Sequence, residues 1–228
     1  MPAKNKIPIT VESLWKLERV SAPSLSPDGS QAVCSVTSYD WETNKTATQL
    51  WLLSTLGGAP RSLTTCGDKD RQAAWSPQGD RVAFIGKREN AGQMDESPQL
   101  YVIAADGGEA RRVSKIAAGV EAFKWMPDGK HIVCLAWMWP GLKGMKAQQR
   151  QHAEFAKRRE SGYATSDGYY RYWDQNLPMG RVVHLLRVNV DTGATTDMLE
   201  GTPYELSRAD LNAEMFDISP DGRRIVFM

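Results

Sequence analysis

One short turn, repeated at a fixed step, limits this chain to a small set of folds. Ser26-Pro27-Asp28-Gly29 returns as Ser76-Pro77-Gln78-Gly79, Met126-Pro127-Asp128-Gly129 and Ser219-Pro220-Asp221-Gly222. The first three prolines stand 50 residues apart each time. Flanking positions keep that step. A β-rich apolar run follows every turn: Ala32–Val36, Val82–Ile85, Ile132–Leu135 and Ile225–Met228. Gln49–Leu53 matches Gln99–Ile103, Gly57-Gly58 matches Gly107-Gly108, and Leu63-Thr64 matches Val113-Ser114. The third-unit equivalents, His184–Val188, Thr192-Gly193 and Met198-Leu199, come 85 residues after those of the second, so the third unit carries 35 extra residues.

Each unit reads as strand, Pro-Asp-Gly turn, strand, loop, strand, Gly-containing turn, strand. Proline presets φ at the first corner and glycine accepts positive φ at the exit. Four short antiparallel strands every 40–50 residues are the pattern of a propeller blade. The expected fold is therefore all-β: a partial β-propeller of about four blades of four-stranded antiparallel sheet, with a helical insertion in the third. The units span about 20–66, 70–115, 120–200 and 212–228, and the insertion about 138–182. Trp75 and Trp125, just before their turns, are expected to pack between neighbouring blades, and Trp51 and Tyr101 to pack as core on third strands. Cys34 and Cys134 are repeat equivalents read as buried, inert thiols, whereas Cys66 lies in a polar connection.

Composition narrows the partners. With 28 basic and 27 acidic side chains the formal net charge is +1, so neither nucleic acid nor an anionic membrane is expected as partner. No run of about 18 apolar residues, the length needed to span a membrane, occurs in the sequence. The first ten residues lack the apolar core of a secretory signal, so the cytoplasm is the expected compartment, a leader already removed being the alternative. Three cysteines without paired spacing suggest neither a disulfide framework nor a zinc site.

The insertion divides into two parts. Gly141–Glu160 holds Lys143, Lys146, Arg150, Lys157, Arg158 and Arg159 among alanine and glutamine, a helix-forming composition. Met145, Ala147, Ala153, Phe155 and Ala156 make only a weak apolar stripe, so the helix is expected to be exposed or partly docked. Tyr169–Asn176 is the densest aromatic and polar cluster. Its Arg171, Tyr172, Trp173 and Asp174 are the candidate ligand contacts, because exposed aromatics beside arginine mark contact sites; packing of the insertion against its own blade is the competing reading.

Catalytic chemistry is missing from these 228 residues. No Gly-x-Ser-x-Gly elbow and no His-Glu-x-x-His or paired-cysteine pattern occurs, and His131, His152 and His184 stand in unrelated contexts. No catalytic residue, metal ligand or cofactor is expected.

The opening Thr10–Leu17 followed by Ala22–Gly29 resembles the start of acylaminoacyl-peptidase and dipeptidyl-aminopeptidase-like members of the prolyl oligopeptidase family. Tyr170–Asp174, then Val183–Val188 with Asp191-Thr192-Gly193, resembles that family's third-unit insertion. The Pro-Asp-Gly repeats alone are shared with TolB-type propellers. The resemblance implies a propeller of seven or eight blades capping an α/β-hydrolase domain and admitting small or unfolded peptides. The Ser, Asp and His of the triad would follow the propeller, so none falls on this chain. Some relatives hold the substrate amino terminus with paired glutamates; no adjacent Glu-Glu occurs here.

Four units at this spacing do not make seven blades. The expectation is a truncated chain or gene fragment whose missing carboxyl-terminal blades and hydrolase domain are its natural partners, and whose open blade edges favour self-association. The expected function is the substrate-gating propeller of a serine peptidase acting on peptides. The alternatives are a TolB-like binding module and a half-propeller that binds ligands as a dimer.

Overall fold

The computed structural model describes residues 8–160, 162, 164, 166 and 179–228. Helix α1 (Val11–Trp15) is opened by a reciprocal cap between Thr10 and Ser13. A first sheet follows, made of β1 (Arg19–Val20), β2 (Ser24–Leu25), β3 (Gln31–Asp40), β4 (Lys45–Ser54) and β5 (Arg61–Ser62). The second sheet contains β6 (Arg71–Trp75) and β7 (Arg81–Gly86), then, after the small hairpin β8 (Glu89–Asn90) and β9 (Gln93–Met94), β10 (Gln99–Ala104) and β11 (Arg111–Arg112). The third contains β12 (Ala122–Trp125), β13 (His131–Met138), β14 (Val182–Asn189) and β15 (Thr195–Asp197), with α2 (Met145–Ala156) between β13 and β14. β16 (Phe216–Ile218) and β17 (Ile225–Phe227) pair as a fourth sheet. Every ladder is antiparallel. Two features depart from four plain strands per unit: the first sheet begins with two strand segments on β3, and the β8–β9 hairpin is an addition.

The central strands are apolar throughout because both their faces are covered. Successive side chains on a strand point to opposite sides. On β7 and β10, Val82, Phe84, Tyr101 and Ile103 turn to the first sheet and meet Val33, Leu50 and Leu52. Their neighbours Ala83, Ile85, Leu100 and Val102 turn to the third sheet and meet Phe123, Ile132, Cys134 and Leu186. Val133, Leu135, Val183 and Leu185 on the far side of the third sheet pack on Met215 and Phe216 before and within the fourth. Three cores thus lie between sheets, not within one, as face-to-face stacking requires.

The innermost strands run side by side in the same direction. The Trp75 indole donates to the Ser24 carbonyl at 3.1 Å, and the Trp125 indole donates to the Ala74 carbonyl at 3.1 Å. At the other end, Arg71 Nη1 donates to the Glu121 carbonyl at 3.3 Å. Turns register in the same way. Gly79 has φ +75°, and a Cβ there would lie 3.4 Å from Pro27 Cδ; at Gly222 (φ +69°) it would lie 3.5 Å from Pro127 Cδ. The second and fourth turns therefore rest on the proline of the preceding one, and a Cβ at Gly129 in the third would run into the Gln78 side chain, so glycine serves both conformation and clearance.

Among the described residues, the first sheet lacks such cover on one side. Leu25 is 60% exposed, whereas Trp75, one repeat later, is 7%; Leu53 is 37% exposed, whereas Ile103 is 2%. No helix among the described residues is long and apolar enough to cross a membrane.

Candidate functional site

An antiparallel meander places its first and third connections at one end of a sheet, and its second connection and exit at the other. Because the innermost strands run together, these ends align across the sheets. Pro-Asp-Gly and Gly-Gly turns share one face. The other face gathers the β3–β4 loop, the β8–β9 hairpin, the insertion with α2, and the sheet-to-sheet connections. Long connections on a rigid scaffold are where binding residues concentrate, so this loop face is the candidate site.

The root of the β8–β9 hairpin is held by two buried ion pairs. Asp70, fully buried just before β6, takes both ends of the Arg88 guanidinium, Nε at 3.0 Å and Nη2 more closely. That guanidinium lies over the Phe84 and Tyr101 rings, at 4.9 and 5.6 Å from their centres. The rings themselves stack at 5.7 Å. Tyr101 donates its hydroxyl to Asp95, whose other oxygen takes Arg112. Burial, together with that hydrogen bond to Asp95 and its charge, pushes the Tyr101 phenol well above its ordinary range, so the hydroxyl stays a donor. Both carboxylates thereby meet bidentate or paired donors, the condition for a charge to be tolerated out of water. Beside this network opens a cleft of about 510 Å³, bordered by Thr65, Cys66, Lys87, Arg88, Met94 and Glu109.

Helix α2 docks on the third sheet by a mixed stripe. Met145 packs against the core between the second and third sheets. Gln148 is buried; its amide accepts from Trp139 N at 2.9 Å and donates to the Trp139 carbonyl at 2.9 Å. His152 and Phe155 meet the Trp139 ring edge-on at 5.8 and 5.6 Å. The helix start has no side-chain cap of its own; Glu200 reaches it from beyond β15 and accepts from Gly144 N at 2.8 Å, a carboxylate at the positive end of the helix. Arg181, just before β14, sits over Trp137, Trp139 and Phe155 at 5.4, 5.9 and 5.1 Å. The insertion therefore leaves and re-enters the third sheet at one place. Of the expected stripe, Met145 and Phe155 face the sheet and Ala147 is half-buried, while Ala153 and Ala156 are exposed. Gln148 and His152 complete it, and no apolar pattern would reveal them.

Arg171, Tyr172, Trp173 and Asp174, with the rest of Tyr169–Asn176, lie outside the described residues. Close to the insertion's base, the Arg71 and Arg181 guanidiniums have lowered pKa values, burial being the main cause and the Glu121 carboxylate opposing it. Two His–Asp pairs are present among the described residues. His184 Nδ1 meets Asp197 at 2.8 Å in a buried position, and His131 Nδ1 meets Asp128 at 2.7 Å near the third turn. Among the described residues no serine or cysteine bonds to either ring, and no group of three His, Cys, Asp or Glu side chains is placed to hold a metal. Cys34 and Cys134 are buried, with thiols pushed up by burial, and Cys66 is exposed. The loop face offers paired charges, amides and aromatic walls suited to recognition.

No protein-family model matches the chain. In sequence it is 31% identical over 223 residues to dipeptidyl-peptidase 5 of Porphyromonas gingivalis, covering 96% of this chain and 31% of that protein. It is 26% identical over 219 residues to the uncharacterized peptidase YuxL of Bacillus subtilis, covering 96% of this chain and 31% of that protein. The chain thus spans about a third of the length of the curated relatives it matches. In structure it resembles an acylaminoacyl peptidase of Pyrococcus horikoshii (TM-score 0.57, 14% identity, 80% of this chain and 25% of that one). It also resembles a protein assigned as TolB from Agrobacterium tumefaciens (TM-score 0.51, 16% identity, 92% and 59%). The chain is mostly β, built of stacked antiparallel sheets, and is a propeller-related protein whose sequence relatives are peptidases.

Proposed function

We propose that this chain is part of the propeller of a serine peptidase of the prolyl oligopeptidase family, and that it gates peptide access to a catalytic domain elsewhere in the same protein. The observation that carries this reading is the sequence similarity to dipeptidyl-peptidase 5, which runs over 96% of the chain. The four sheets are read as four successive blades of a ring. The loop face, with its hairpin and insertion, is read as the side that meets peptides and neighbouring domains, and Arg171, Tyr172, Trp173 and Asp174 remain its proposed ligand contacts. The uncovered side of the first sheet is the place where a further blade of the ring would pack, or a second copy in its absence. The test is active-site labelling of the protein encoded by the complete reading frame. A fluorophosphonate should label one serine, outside these 228 residues, and the labelled protein should lose hydrolysis of short acylated peptides. Failure to label, with no peptide hydrolysis, would refute the reading.

A second reading is a TolB-like binding module. It is favoured by the likeness to the Agrobacterium protein, which covers 92% of this chain. A complete frame that adds only sheets and no nucleophile would support it.

A further inference from the structure

His152 stands out because its polar atom is poorly provided for. Nδ1 is buried and has no hydrogen-bond partner among the described residues. The ring lies on the docking side of α2, edge-on to Trp139 at 5.8 Å. A buried donor or acceptor without a partner is costly, and a protonated ring there costs more, since both its nitrogens then become donors.

Charges around the ring sharpen the difference between its two forms. Arg181, at the entry of β14, acts against the charged imidazolium; Glu96, between β9 and β10, acts for it. Arg181 is held over three aromatic rings and does not deprotonate at any working pH. Arg158, just after α2, acts on Arg181 in turn and lies over Phe155 at 4.5 Å. Glu96 is exposed, so water and salt weaken its pull. Burial first, then Arg181, holds the His152 pKa below the ordinary value of 6.5.

We propose that His152 is an acid-operated latch: the neutral ring docks α2 on the third sheet, and its protonation releases the helix. The sign follows from linkage. The docked state binds fewer protons than the released one, so docking is at full strength above about pH 6.5 and weakens as pH falls below it. Release would leave β13 and β14 paired, because their ladder does not involve the helix. It would uncover Trp139 and Met145 and free Gln149, which borders a second cleft of about 680 Å³ beside the β8–β9 hairpin. The loop face would thereby change shape with acidity while the sheets stay intact.

The test is hydrogen exchange of the amides of residues 145–156, corrected for intrinsic rates, at about pH 7.5 and about pH 5. Exchange in α2 should be several-fold faster at the lower pH, while β10 and β13 keep their protection. His152→Phe, which keeps a ring against Trp139, should abolish that difference. Equal α2 protection at both pH values, the same pH response in His152→Phe, or loss of protection in β10 and β13 together with α2 would overturn the proposal. A measurement without any variant decides it independently. The chain has three histidines, and the His152 ring resonance should titrate below 6.5; titration at or above that value refutes the latch.

Discussion

Replacing Trp75, Trp125 and Trp41 by phenylalanine, one at a time, measures how the sheets are held to each other. Trp75 is buried, and its indole donates to the Ser24 carbonyl of the preceding sheet. Phenylalanine removes that donor and leaves the carbonyl poorly served, a loss of about 1–2 kcal/mol. The smaller ring removes about half as much again of apolar contact, at about 25 cal/mol per Å². The expected cost of Trp75→Phe is therefore about 2–3 kcal/mol. Trp125 makes the same bond to the Ala74 carbonyl but is only partly buried, with Arg81 lying over its ring at 5.9 Å. Water can serve the freed carbonyl there, so Trp125→Phe should cost about 1–1.5 kcal/mol. Trp41 is 62% exposed, and its substitution should stay within about 0.5 kcal/mol. Urea unfolding followed by far-ultraviolet circular dichroism gives the three values, with a constant m-value as the condition for comparing them. If Trp75→Phe cost no more than Trp41→Phe, the inter-sheet indole bonds would not be a source of stability and the reasoning would fail.

Further outcomes follow from the loop face and the cores. Asp70→Asn should destabilise by about 3–5 kcal/mol by leaving Arg88 without its buried partner, and replacing both by apolar residues of similar volume should recover most of the loss in the same urea assay. Glu200→Gln should weaken α2 by about 0.5–1 kcal/mol through loss of the carboxylate at its start, seen as faster amide exchange confined to residues 145–156. A thiol reagent should modify one cysteine per folded chain, Cys66, and all three after denaturation; rapid reaction of Cys134 in the native state would contradict its burial.

The repeat made the sheets legible because its turn chemistry is local. A proline, a glycine and the apolar run behind them specify a hairpin with little help from tertiary context, and Val82–Ile85 and Ile132–Leu135 form the strands expected of them. The unbroken apolar character of those runs agrees with their burial on both faces. The tryptophans before the turns pack across sheets as their position suggested. What stayed hidden depends on pairing at long range. Asp70 and Arg88 are 18 residues apart, and Glu200 caps a helix at Gly144, 56 residues upstream of it; nothing local marks them as partners. Gln148 and His152 look like surface residues on a helix, and only the groups at the end of β13 give them a docking role. The β8–β9 hairpin turns at Ala91-Gly92, both at positive φ, a conformation that alanine does not advertise.

The central claim is that these sheets belong to a larger ring, so the bare side of the first sheet is covered in the complete protein. A single thiol at that side tests it: Leu53→Cys in a Cys66→Ser background, with its rate of modification compared in two proteins. In the dilute 228-residue chain the new thiol should react readily, because Leu53 is partly open to water. In the protein from the complete reading frame it should be protected, as Ile103 is one repeat later. Equal, rapid reaction in both proteins would mean that no further sheet packs on the first, and would contradict the account.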